Sequence, residues 1–298
     1  AGIAHAAHES GRLRYVLLVG DDHWDPAHRV PSSQPSFLPS AMFQDGANGR
    51  VPSETRYADL DGDGAPDLAI GRLPAASAEE ALALAAKVER QRDALAYAAG
   101  RHLFAVDDGA PFLQRAQAAM AQLPNTSTSV LADLNQGIQA AEDALAAATT
   151  SGVEAMHYFG HGSVDLWADE WLLDSRSAAA FAGRPESLLF TWACYAQDYQ
   201  NVFDYGEGPV ESVGESLLKL PTGGVLASFG PAGITDERLQ VKLQTELYPR
   251  LFHGELTLGE AIRQAKAEVL RADPATAPVV EGWNLLGDPA LRLPAPRQ

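Results

Sequence analysis

One thiol and one imidazole stand out as the parts of a nucleophilic site. Cys194 is the only cysteine in 298 residues, and it ends the apolar run Ser187-Leu-Leu-Phe-Thr-Trp-Ala-Cys194. A second apolar run, Val153-Glu-Ala-Met-His-Tyr-Phe-Gly-His161-Gly162, ends on a histidine between two glycines. Both runs have strand length and stop at a turn. In a parallel sheet both side chains would leave the strands at the same carboxyl edge, where a thiolate and its acid/base partner could work together. A lone buried cysteine is ordinarily inert core. A strand needs no glycine on either side of a histidine, however, whereas a reactive site needs the backbone to approach closely there. His157, four residues before His161, would pair with it as a zinc ligand on a helix; on a strand it lies deeper on the same face and reads as core.

A second group of reactive side chains is acidic. Tyr57-Ala-Asp59-Leu-Asp61-Gly-Asp63-Gly64-Ala-Pro-Asp67 places carboxylates at loop positions one, three, five and nine, with glycine at six. Alternating hard oxygens and a glycine for the sharp turn suit calcium. Position twelve is Ile70 rather than the usual bidentate glutamate, so any further ligands come from elsewhere. Without a cation, four carboxylates this close repel one another. The expectation is a structural calcium ion held by Asp59, Asp61, Asp63 and Asp67, against the alternative of a solvated Asp-Gly turn.

The elements that must position these groups alternate. Arg14-Tyr-Val-Leu-Leu-Val-Gly20 is a buried strand by its continuous apolar run. Residues 23–56 hold much of the proline and serine and read as a long surface loop. Asp67-Leu-Ala-Ile-Gly71 is a short strand, and Ser77-Ala-Glu-Glu80 opens a helix that runs to about Gly100. Beyond it, strands at His102–Val106, Ser129–Leu131, Ala155–Phe159, Leu188–Ala193 and Val225–Phe229 interleave with helices at 112–123, 137–149, 211–220, 237–252 and 258–271. This pattern predicts an α/β fold, a mostly parallel sheet covered on both faces, with sites at strand carboxyl ends. The helix after Ser77 divides a smaller N-terminal α/β part, residues 1–95, from a larger catalytic part, residues 96–298.

Composition narrows the partners. Acidic residues number 39 against 22 basic, a formal net charge of −17. No basic patch or aromatic–basic interleaving is present, so nucleic acid and anionic membrane are poor partners, and cations and basic peptides are better ones. A single cysteine excludes an internal disulfide and leaves the redox compartment unmarked. No run of eighteen apolar residues and no signal peptide is visible. The chain opens on Ala1, which points to a processed or trimmed piece, with a leader, prodomain or first strand removed.

Taken in order, Tyr15-Val-Leu-Leu-Val-Gly-Asp21, Tyr57 through Pro74, Tyr158-Phe-Gly-His-Gly162, Trp192-Ala-Cys194, Gly223-Gly-Val-Leu-Ala227 and Trp283-Asn-Leu-Leu-Gly-Asp-Pro289 resemble the gingipain family of cysteine peptidases. The matches span nearly the whole chain, and the interval between His161 and Cys194 fits as well. The resemblance implies a caspase-like fold, a His161–Cys194 dyad, an oxyanion held by the N–H groups of Gly162 and Cys194, endopeptidase activity on protein or peptide substrates, and a secreted or cell-surface location. It also implies a carboxylate supporting the histidine; of Asp107 and Asp108, Asp108 is the choice. Lysine-cleaving members carry an acid in the loop after the Val225–Phe229 strand. Asp236 falls near it, which implies cleavage after basic residues, although aspartate is equally a favoured N-cap for the helix at Glu237. The sequence departs from the family in three places. Little precedes the first strand. The segment from Tyr195 to Gly208 is long and aromatic. The helix near Phe112 has no acid at its start, which removes one route to arginine selection. A sortase-like transpeptidase and a catalytically silent, calcium-stabilised binding module are the alternative readings.

Overall fold

The computed structural model describes residues 2–27, 29, 35–46, 49–200 and 210–294. A peripheral helix, α1 (Gly2–Ser10), precedes β1 (Tyr15–Val19). The stretch expected to be one long loop contains a hairpin, β2 (Met42–Asp45) and β3 (Gly49–Pro52), and then one helical turn, α2 (Thr55–Ala58). The prolines and serines that prompted the loop reading crowd residues 31–40, and the hairpin follows them. Next come β4 (Ala69–Leu73) and the long helix α3 (Ala78–Ala98). Ser77 caps that helix by accepting the Glu80 N–H at 3.1 Å, as its capping pattern predicts.

The expected alternation then runs β5 (Arg101–Val106), α4 (Phe112–Met120), β6 (Thr128–Asp133), α5 (Ile138–Ser151) and β7 (Ala155–Phe159). A small hairpin, β8 (Leu166–Trp167) and β9 (Leu173–Asp174), precedes β10 (Ser187–Trp192). The chain continues through α6 (Val213–Lys219), β11 (Val225–Pro231), α7 (Glu237–Phe252), α8 (Leu258–Ala272), α9 (Ala277–Gly282) and β12 (Trp283–Leu286).

Eight strands form one sheet in the order β1-β4-β12-β11-β10-β7-β5-β6. Every pairing is parallel except β11 with β12. That reversal makes two parallel blocks running in opposite directions, β1-β4-β12 and β11-β10-β7-β5-β6. The blocks join through β12, which meets β4 at the pair Leu286–Arg72 and through the Gly287 N–H on the Arg72 carbonyl at 2.7 Å.

Strand periodicity sends alternate side chains into two cores. On one face Phe104, Phe159, Phe190, Trp192 and Phe229 meet α4, α7 and α8; on the other Leu103, Ala105, Met156, Tyr158 and Leu189 meet α3, α5 and α6. Burial on both faces is why these strands appear in sequence as continuous apolar runs.

Candidate active site

β7 and β10 are parallel neighbours in which Phe159 stands level with Trp192. His161 and Cys194 each follow two residues beyond that pair, so the register delivers both to one edge of the sheet. The glycines beside the histidine answer to sterics. A β-carbon on Gly162 would sit 2.9 Å from the Cys194 carbonyl oxygen and 3.1 Å from the Ala193 β-carbon. One on Gly160 would collide with the Tyr158 phenol and the Asp107 β-carbon. The two turns therefore lie against each other with room for hydrogen only.

The main chain of His161 is anchored on both sides. Its N–H donates to Asp107 Oδ2 at 2.7 Å, and its carbonyl accepts from Tyr158 Oη at 2.5 Å and from the Ala168 N–H at 3.1 Å. Tyr158 is fixed by stacking flat on Trp167, with ring centroids 4.4 Å apart. The exposed imidazole meets the Phe112 ring edge-on at 5.0 Å.

Asp107, rather than Asp108, is the carboxylate at this turn. The Asp107 N–H donates to the Phe159 carbonyl at 3.0 Å, which extends β5 by one residue and points its side chain inward; Asp108 then turns out to solvent. The buried Asp107 carboxylate accepts the Asp108 N–H at 2.8 Å as well as that of His161. Burial raises its pKa, and the two N–H donors work against that rise.

Cys194 is partly buried, with Sγ 3.9 Å from Thr235 Oγ1. The next residue, Tyr195, has φ +55°, a left-handed conformation that costs a side-chain-bearing residue roughly 1–2 kcal/mol. Neighbouring bonds hold it there. The Tyr195 N–H donates to the Gly233 carbonyl at 3.1 Å and the Gln197 N–H to the Pro231 carbonyl at 3.0 Å. The Gln197 amide donates to the carbonyls of Ser228 and Asn284 at 2.5 and 2.9 Å. Among the described residues, the N–H groups of Gly162 and Cys194 enter no main-chain hydrogen bond.

Sequence reasoning missed Thr235, Gln197 and a buried link from Arg72 on β4 and Glu54 to the segment after Cys194. In that link Arg72 Nε donates to Glu54 Oε1 at 2.7 Å, the guanidinium lies 5.2 Å over the Tyr199 ring, and Tyr199 Oη donates to the same Glu54 oxygen at 2.5 Å. Arg72 was visible only as part of a motif, and Tyr199 only as one aromatic in a long segment. Residues 201–208 of that segment lie outside the described residues.

Asp236 caps α7, accepting the Arg238 N–H at 2.8 Å, and forms an ion pair with the Arg238 guanidinium at 2.6 Å. These bonds hold its carboxyl below the ordinary range. Between α4 and α7, Phe112, Phe159, Trp192 and Gln240 line a cavity of about 10 Å³, and Arg115 on α4 forms an ion pair with Glu237 beside it. His157 is fully buried, bonded to Tyr248 Oη at 2.5 Å and His102 at 3.2 Å, which matches a core role.

In the acidic loop, one carboxylate oxygen each of Asp59, Asp61 and Asp67 lies within 4.8 Å of the others. Asp63 does not join them; it accepts the Ala65 N–H at 2.8 Å. Asp59 accepts the N–H groups of Gly62 and Gly64 at 2.7 and 3.0 Å, and Asp67 that of Leu60 at 2.7 Å. Three clustered hard oxygens fit a calcium ion that completes its shell with water or further oxygens.

The sequence model of the family described as peptidase family C25 matches residues 3–294. The structure is similar to the complex of the pro- and mature domains of Porphyromonas gingivalis RgpB, with TM-score 0.76 and 18% identity over 98% of this chain and 68% of that one. It is also similar to the Arg-specific cysteine proteinase gingipain R (RgpB), with TM-score 0.74 and 18% identity over 98% and 67%. Both likenesses place the mostly parallel sheet and its helices in the caspase-like fold. No curated protein matches the sequence.

Proposed function

The chain belongs to peptidase family C25 and is a cysteine peptidase, and from that premise we propose that Cys194 is its nucleophile and His161 its general acid/base. The observation that carries the assignment is the level register of β7 and β10, with Gly162 lying against the Cys194 carbonyl. The thiolate attacks the peptide carbonyl and a C–S bond forms. The N–H groups of Gly162 and Cys194 face the oxyanion, where such donors are typically worth about 3–4 kcal/mol each. His161 protonates the leaving amine as the C–N bond breaks. Water then releases the acyl group from the thioester, with His161 taking its proton. Asp107 acts on His161 through the main chain, fixing the turn that presents the ring.

Protein or peptide chains are the substrate class, and the net charge of −17 attracts basic ones. Cleavage after a basic residue through Asp236 requires that carboxylate to exchange Arg238 for the substrate. Rates on lysine, arginine, leucine and aspartate reporter peptides, with Asp236→Asn beside the parent, test this. A basic preference that Asp236→Asn removes supports the pocket role; an unchanged preference leaves Asp236 as a cap alone. Product masses with an added amine separate hydrolysis, the expected outcome, from transfer.

We also propose that Asp59, Asp61 and Asp67 hold a structural calcium ion, supported by their clustered oxygens. We propose a location outside the cell or on its surface, a reading that the family match supports. Among the described residues no helix is long and apolar enough to cross a membrane.

A further inference from the structure

The loop between β11 and α7 puts one hydroxyl beside the reactive sulfur. Thr235 Oγ1 stands 3.9 Å from Cys194 Sγ and 3.3 Å from the Ala193 carbonyl oxygen, and it accepts the side-chain amide N–H of Gln240 one turn into α7. Gln240 is buried and lines the small cavity between α4 and α7. The arrangement restricts the hydroxyl proton. One lone pair of Oγ1 already takes a proton from Gln240, so the threonine's own proton is left with two acceptors within reach, the Ala193 carbonyl and the sulfur.

We propose that Thr235 is a switchable donor to Cys194, stabilising its thiolate before attack, and that Gln240 is a positioning residue that aims it. This rests on Cys194 being the nucleophile. When the sulfur is an anion the hydroxyl proton turns toward it, since a hydrogen bond to a charged acceptor is roughly twice as strong as one to a neutral carbonyl. When the C–S bond forms, the negative charge moves to the substrate oxygen and the sulfur becomes a poor acceptor. The hydroxyl then swings back to Ala193. No proton leaves Thr235 at any stage, and the leaving amine still receives its proton from His161. The titratable and charged groups around this turn are His161 across from Cys194 with Asp107 bonded to its main chain, Tyr195 beside it with Asp198 and Asp45 acting on it, Asp236 paired with Arg238, and Glu237 paired with Arg115. None of these pairings engages the Thr235 hydroxyl, whose described partners are Gln240, Ala193 and Cys194.

The test is alkylation by iodoacetamide across pH, run on the full chain. Cys194 is the only cysteine, so the reagent reports its sulfur whether or not that sulfur is the nucleophile. Thr235→Val, similar in shape but without the hydroxyl, should slow alkylation about tenfold at pH 6 and far less at pH 10. It should lower kcat with little change in KM, and Thr235→Ser should restore both. Gln240→Leu should give a smaller slowing at pH 6 and none beyond that of Thr235→Val when the two are combined. Melting curves confirm that the variants are folded, and Thr235→Ala, which also lacks the hydroxyl, carries the same test if the valine variant is not. Equal alkylation of parent and Thr235→Val at pH 6, or an equal slowing at pH 6 and pH 10, overturns the proposal. Peptidase activity retained in Cys194→Ala would instead overturn the assignment of the nucleophile, a separate outcome.

Discussion

The two acidic or nucleophilic regions that stood out in the sequence are built in opposite ways. At the dyad edge, Asp107, Tyr158, His161, Cys194 and Thr235 come from four separate segments, and buried strands and long-range bonds hold them together. In the acidic loop every bond into a carboxylate comes from a backbone N–H no more than seven residues away, and most of the loop faces solvent. The first region owes its geometry to the core and has none without it. The second owes its geometry to its own turns and gathers carboxylates that repel one another. Small steric changes should therefore be severe at the dyad edge, whereas cation removal should act on stability through the loop.

The largest effect follows from the closest approach. Gly162→Ala pushes a β-carbon onto the Cys194 carbonyl. It should cut kcat/KM by about a hundredfold, because a displacement of about 1 Å in a reacting pair has that consequence. The fold should persist, since both turns lie at the rim of the sheet; near-parent activity would show that the turns are not pressed together. Asp107→Asn comes next. An amide offers one acceptor where the carboxylate serves two N–H donors, and one N–H then faces an NH₂ group. A loss of roughly 1–3 kcal/mol, read as a ten- to hundredfold fall in kcat, is expected. Asp108→Asn should change little. The reverse ranking would return the supporting role to Asp108.

Calcium removal sharpens the other side of the comparison. A site filled well above its dissociation constant stabilises by about 3–4 kcal/mol, so chelation should lower the Tm by several degrees and added calcium should restore it. Asp59→Asn should abolish the shift and Asp63→Asn should not, because Asp63 stands outside the cluster. An unchanged melting curve with no metal by elemental analysis removes the site. The smallest effect lies at the opposite edge, where Glu154 accepts the Gly100 N–H at 2.5 Å and burial pushes its pKa up from 4.5 to about 7. The folded state then holds a proton that the unfolded chain has released. Stability should fall as pH rises from about 4.5 to about 7, and Glu154→Gln should flatten that decline without touching turnover. A decline unaltered by the substitution would assign it to other groups.

What the sequence made legible follows the same division. Strands buried on both faces announced themselves as apolar runs, Ser77 announced its helix, and the glycines around His161 announced a close approach. β12 did not, because four residues with Asn284 among them take their strand state from β11 and β4 rather than from any pattern of their own. The choice between Asp107 and Asp108 turned on whether β5 runs one residue further, a distinction set by a hydrogen bond to Phe159 and invisible in an Asp-Asp-Gly turn. Thr235 and Gln240 lie far from Cys194 in the chain, and only the placement of α7 brings them to its sulfur.

The central claim is that Cys194 and His161 perform the cleavage together, and single-residue replacement tests it most directly. Turnover of a peptide library should fall to background in both Cys194→Ala and His161→Ala, with far-ultraviolet circular dichroism unchanged. A peptidyl chloromethyl ketone should add its mass to Cys194 in the parent alone. Cleavage at the parental rate by either folded variant would contradict the account.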